Sequence, residues 1–61
     1  MTFREIENIL LMDGWRLKNV KGSHYQYVHK YKSGKVTIPK HRGDLDIRTI
    51  NSILKQADII I

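Results

Sequence analysis

The chain has 61 residues, and eleven Lys and Arg against six Asp and Glu give it a formal net charge of +5. A protein this short buries only about 60% of the surface its unfolded chain exposes, which excludes a large enclosed substrate cavity. With no cysteine there is no disulfide framework and no thiolate metal site, so the core alone must hold the fold, while the excess of cations favours a polyanion or an acidic protein as partner.

The N-terminal segment carries Arg4, Glu5 and Glu7 within its apolar pattern. No apolar run approaches the ~18 residues of a membrane span, so the sequence predicts neither a signal peptide nor a transmembrane helix, and a cytoplasmic protein is expected. No repeat, low-complexity segment or linker interrupts the chain. Residues 1–61 are therefore expected to form a single domain.

In chain order, Thr2-Phe3-Arg4-Glu5 fits a capping box, in which a hydroxyl and a carboxylate three residues apart satisfy the free backbone donors of a helix start. Phe3, Ile6, Ile9 and Leu10 recur at helical spacing and define a core face. Asp13-Gly14 ends the helix, glycine being suited to a left-handed C-terminal position. A first strand is predicted over Trp15 to Lys21.

Gly22-Ser23 reads as a two-residue hairpin loop, with glycine at the first central position, where a type II′ turn needs positive φ. A second strand follows from His24 to Tyr31. Ser33-Gly34 marks another tight turn, and Lys35 to Ile38 is a third strand that Pro39 terminates or places at a sheet edge.

Two-residue loops at both turns set Val20 opposite Tyr25 and Tyr31 opposite Val36, so these four share a face with Tyr27 and Ile38, which is the expected core face. His24 then lies on the open face with Lys21, Asn19, Gln26 and Thr37. The same register turns Trp15 and Leu17 to the open face, unless a bulge reverses the first strand. Lys40 to Asp46 is a polar, basic loop. A second helix runs from an N-cap at about Asp46 to Ala57, with Ile47, Ile50, Ile53, Leu54 and Ala57 on its buried stripe.

The predicted fold is therefore α+β with the order α-β-β-β-α. Two helices cover one face of a three-stranded antiparallel meander, and the other face stays wet.

The stretch Lys21-Gly22-Ser23-His24 is the candidate site. An imidazole at the first residue of a strand, held by the ladder on one side and open to solvent at the bend, with a lysine across the strand pair, suits proton transfer on an anion. Duller readings stand beside this one. His29 reads as a packing or hydrogen-bonding residue, and Tyr25 and Tyr27 read as core rather than as base-stacking platforms. Lys18, Lys30, Lys32 and Lys35 read as a solvated surface on an edge-rich sheet. The ending Ile59-Ile60-Ile61 is either a tuck against the core or a patch for a partner.

Gly22-Ser23-His24 on a basic hairpin, the strand Val36-Thr37-Ile38-Pro39 and the helix end Ile53-Leu54-Lys55-Gln56-Ala57, in a chain of this size, resemble the HicA family of toxins. The resemblance runs from the first helix to Ala57. It implies a double-stranded-RNA-binding-domain-like fold, cleavage of mRNA independent of translation, a catalytic histidine at the position of His24, and neutralisation by a HicB-type antitoxin. The chain departs from the family pattern at two places. Tyr25 stands where members often carry a second histidine, and Asp58 where a glycine often follows the Lys-Gln-Ala segment.

The chemistry fits these residues. RNA carries a 2′-hydroxyl able to attack its own adjacent phosphate, so cleavage needs no protein nucleophile and no metal or cofactor, only a group to take the proton and cations to steady the phosphorane. Histidine, with an ordinary pKa of about 6.5, is mostly neutral near pH 7 and able to accept that proton. His24 is the expected acid–base residue, with Lys21, Gly22, Ser23, Lys40 and Arg42 expected to hold the RNA phosphate. Two other classes remain open at this stage: a non-catalytic RNA-binding module and a pure interaction protein with a basic face. Against the former, the second helix begins Asp46-Ile47-Arg48-Thr49 and lacks the lysine cluster with which double-stranded-RNA readers grip phosphates.

Overall fold

A computed structural model describes all 61 residues. Five elements follow one another: helix α1 (Phe3–Met12), strands β1 (Trp15–Lys21), β2 (His24–His29) and β3 (Val36–Pro39), and helix α2 (Ile47–Gln56). The sheet is antiparallel in the order β1-β2-β3, so β2 is central and Pro39, which has no N–H to give, sits on an edge strand. The predicted α-β-β-β-α order is the observed one.

Both helices begin as their sequences dictate. The Glu5 amide donates to the Thr2 hydroxyl at 3.2 Å and the Thr2 amide donates to the Glu5 carboxylate at 2.9 Å, completing the capping box. These Thr2 contacts, the backbone one foremost, hold the Glu5 carboxyl below its usual 4.5. At α2 the Asp46 side chain accepts from the Arg48 amide at 3.3 Å. Leu45 before that cap and Ile50 in the first turn are both buried in the core, the apolar pair that fixes the angle at which a chain enters a helix. Leu45 takes the place expected of Ile47, which is 66% exposed at the helix start.

One core joins the elements. Phe3, Ile6 and Leu10 from α1, Ile50, Ile53, Leu54 and Ala57 from the second helical segment, and Trp15, Tyr27, Val36 and Ile38 from one face of the sheet are all buried together with Leu45. Burial on this scale stabilises each large side chain by about 1.5–3 kcal/mol. Tyr27 places its phenol inside, where it donates to the Glu7 carboxylate at 2.6 Å. Burial first, and that hydrogen bond second, push the phenol well above its usual 10.

Three further sequence expectations are resolved here, the first by the bulge that the sequence left open. Between Leu17 and Asn19 the pairing shifts, leaving Lys18 as an extra residue in β1. Leu17 therefore faces Tyr27 and Trp15 faces His29, both on the helix side, and Trp15 is buried rather than open.

At the second connection, Tyr27 rather than Tyr31 lies opposite Val36. The reason is an imidazole. The backbone amides of Tyr31 and Lys32 donate to His29 Nδ1 at 3.0 and 3.1 Å, so these donors leave the ladder and β2 stops at His29. Tyr31 is 84% exposed. The displacement is four residues, an even number, so Val36 and Ile38 still point inward as predicted.

Lys32 is not a solvated surface residue. Its ammonium donates to the Asp13 carboxylate at 2.7 Å, to the Ala57 carbonyl at 3.1 Å and to the Asp58 carbonyl at 2.8 Å. Asp13 caps α1 and Ala57 caps α2, so one cation serves the negative ends of both helix dipoles. That hydrogen bond from Lys32 is also the main reason the Asp13 carboxyl lies below its usual 3.8.

At the C-terminus the Ile59 amide donates to the Leu54 carbonyl at 3.0 Å and the Asp58 amide to the Lys55 carbonyl at 3.1 Å. This is the Schellman arrangement, and it needs a left-handed residue, which Asp58 supplies with φ of 55°. Ile59 packs on the core, which is the predicted tuck, while Ile60 and Ile61 are exposed.

Candidate active site

The β1–β2 turn has the predicted form. Gly22 takes φ of 57° and Ser23 does not take a positive φ, which is the asymmetry of a type II′ turn. Space around Gly22 is open, so the requirement there is purely conformational. Beyond the bend, His24 pairs with Lys21 on one side and with Pro39 on the other.

Pairing partners share a face, so Lys21, His24 and Pro39 all project from the side of the sheet that no helix covers. Both Lys21 and His24 are exposed. Gln26 opposite Thr37 and Asn19 opposite Gln26 continue this face, and the bulge adds Arg16, opposite Val28. Arg16 escaped the sequence reading because the unbulged register turned it inward.

His29, five residues along the same strand, has the opposite fate. Its Nδ1 accepts two backbone N–H groups, and its Nε2 lies 2.7 Å from the Asp13 carbonyl. A carbonyl only accepts, so Nε2 carries the proton and the ring is a neutral tautomer with both nitrogens engaged. The ring packs edge-on against Trp15 at 5.2 Å between centroids. Gly14, with φ of 103°, passes so close that a Cβ would meet His29 Nε2 at 2.7 Å. His29 is therefore a structural residue, as the sequence reading expected.

The remaining predicted site residues lie at the same end of the sheet but not on the same side. The Lys40 amide donates to the Ser23 carbonyl at 2.6 Å, which ties the end of β3 to the bend. The Lys40 side chain turns toward the helices. Its ammonium stands 5.4 Å from the Tyr25 ring centroid and 5.6 Å from that of Phe3, and these two rings meet edge-on at 5.0 Å. Tyr25 thus faces α1 rather than the open face.

Lys40 and Arg42 line a groove of about 400 Å³ whose other wall is the first turn of α1, with Thr2, Phe3 and Arg4. The predicted set divides into a bend carrying Lys21, Gly22, Ser23 and His24, and a neighbouring basic groove holding Lys40 and Arg42. Arg4 and His41 also line this groove. No spacing in the sequence announced Arg4, because it becomes a neighbour of the loop only once the Leu45 amide bonds to the Met1 carbonyl at 2.7 Å.

No group of His, Asp and Glu side chains is arranged to hold a metal ion, and no helix is long and apolar enough to cross a membrane. No curated protein matches this sequence at a significant level. Residues 3–59 match the family model described as the HicA toxin of bacterial toxin-antitoxin, a span that takes in every element from α1 to the Schellman turn. The chain therefore belongs to the HicA toxin family, and its role is that of the toxin in a toxin–antitoxin pair.

Proposed function

We propose that this toxin is a metal-independent endoribonuclease that cleaves mRNA with His24 as its acid–base residue. The observation that carries the reading is the contrast between an exposed imidazole on the uncovered sheet face, beside Lys21, and a second strand histidine whose two nitrogens are both consumed. In the proposed reaction the RNA 2′-oxygen attacks the adjacent phosphorus and gives up its proton to the neutral His24 ring. Lys21 stabilises the charge that gathers on the phosphorane. The bond to the 5′-oxygen breaks, and that oxygen leaves with a proton from water. The products are a 2′,3′-cyclic phosphate and a 5′-hydroxyl.

Its partner within the toxin–antitoxin pair is proposed to be a HicB-type protein. That protein would cover the His24 face, offer carboxylates to Lys21 there and reach round the sheet end to Lys40 and Arg42, in an association weakened by salt.

The test incubates the purified chain and its His24→Ala variant with a defined transcript in the presence of EDTA. Expected is a loss of cleavage of about 10²–10⁴-fold in the variant, with RNA affinity retained and cyclic phosphate ends on the parent's products. Unchanged cleavage by His24→Ala, or cleavage of an all-DNA oligonucleotide of the same sequence, refutes the mechanism. Absence of cleavage by both proteins, with RNA still bound, favours a non-catalytic RNA-binding module.

A further inference from the structure

The groove between the first turn of α1 and the Lys40–Gly43 loop lies on the helix side of the sheet end, away from His24. Arg4, Lys40 and Arg42 all line it, and none of the three forms an ion pair. The acidic groups nearby are already used. Asp44 lies 3.7 Å from the terminal ammonium of Met1, and the Glu5 carboxylate is spent on Thr2.

The walls are pinned at both ends of the loop by the Lys40–Ser23 and Leu45–Met1 backbone hydrogen bonds, with a β-bridge between Thr2 and Asp44. The Lys40 ammonium is also positioned in advance, by the faces of Phe3 and Tyr25. An ammonium already positioned in a pinned groove loses little freedom when it takes up an anion. A volume of about 400 Å³ is in the range of small-ligand sites and admits a nucleotide phosphate with its ribose. The aromatic floor is no stacking platform, because Phe3 is buried and Lys40 lies over both rings.

We propose that this groove is a second phosphate subsite, which holds a backbone phosphate of the RNA strand a few nucleotides from the bond presented to His24. The proposal rests on the endoribonuclease reading for the identity of the strand. The strand would cross the end of the sheet where the Ser23 carbonyl meets the Lys40 amide, passing from the uncovered face to the groove. Phosphate contacts of this kind set register and affinity without reading sequence.

The test measures binding of a fluorescein-labelled, fully 2′-O-methylated single-stranded RNA, which cannot be cleaved, over a series of salt concentrations. The proteins compared are the full-length parent chain, the Arg4→Gln/Arg42→Gln double variant, the Lys30→Gln/Lys55→Gln double variant as a charge-matched control, and His24→Ala. Loss of one phosphate contact should lower the slope of log affinity against log salt by about 0.7 and weaken binding about fivefold at 0.1 M salt. The expected result is that change in the groove variant alone, with its melting temperature held. Equal weakening in the control variant, or no change in the groove variant, overturns the proposal. RNA affinity unchanged while affinity for the antitoxin falls also overturns it, and assigns the groove to the protein partner. His24→Ala separates this result from the catalytic reading, since a variant that binds normally but still cleaves the unmodified RNA sinks the mechanism and leaves the groove standing.

Discussion

The two ends of β2 are built from the same residue types and put them to opposite use. At the far end, His29 and Lys32 are surrounded by acceptors: the Asp13 carboxylate, and carbonyls of Asp13, Ala57 and Asp58 where both helices end. Every donor or acceptor these side chains own is absorbed by the fold. At the near end, His24, Lys21, Lys40, Arg42 and Arg4 meet no carboxylate partner. Helix direction sets the difference, because α1 brings its first turn to the near end and its negative end to the far one. A histidine or lysine in so small a domain is structural where helix carboxyl ends converge, and available for a ligand where a helix begins.

The sharpest way to break the comparison is to attack the locked end. His29→Ala removes the ring that packs on Trp15 and strands the Tyr31 and Lys32 amides, and should cost about 2–4 kcal/mol by combined packing and hydrogen-bond loss. In a domain of this size that lowers the melting temperature by roughly 10–25 °C, measurable by circular dichroism. His24→Ala should leave it unchanged. Equal melting of the two variants would mean the ends do not differ as described.

Lys32→Met keeps the aliphatic stem and deletes the ammonium, with an expected loss of about 1–2 kcal/mol from unpaired carbonyls and an unpartnered Asp13. The same variant sharpens the pH response. Because the Asp13 carboxyl is lowered in the folded state, its stabilising effect is fully present above pH 3.8, the usual value, and is lost as pH falls through the folded value. The parent should lose stability on acidification below about pH 4 more steeply than Lys32→Met. Parallel acid melting curves would remove Lys32 as the cause.

The smallest effect expected is a gain. Asp58 holds φ of 55°, a conformation that costs an L-residue roughly 1 kcal/mol and glycine nearly nothing. Only its backbone carbonyl serves Lys32. Asp58→Gly should therefore raise stability by up to about 1 kcal/mol in chemical denaturation; a loss would show that the aspartate side chain contributes to the cap.

Much of this was legible in the sequence where the signal is local. The capping box at Thr2, the helix stop at Gly14, the turn at Gly22, the face carrying His24 and the inward Val36 and Ile38 all follow from spacing or from backbone needs of single residues. What could not be read depends on contacts across the fold. Ser33-Gly34 looks like a hairpin turn, but whether it closes one depends on His29 Nδ1 taking two amides out of the ladder. Ile47 fits the helical period, yet a residue at the first position of a helix has no turn beneath it, and the core position went to Leu45 ahead of the cap. The site was half visible on the same grounds. His24 and Lys21 are joined by a turn the sequence announces, whereas Arg4 lines one groove with Arg42 only because the Met1 carbonyl and the Leu45 amide bring distant segments together.

Lys18, the unpaired residue in β1, makes chain length rather than composition the fragile quantity in that strand. Its side chain is exposed and nearly any replacement leaves the pairing intact, but deleting the position would rotate everything before it by half a turn, carrying Trp15 out of the interior and Arg16 into it. A spacing error of one residue there undoes what no single substitution of Lys18 could.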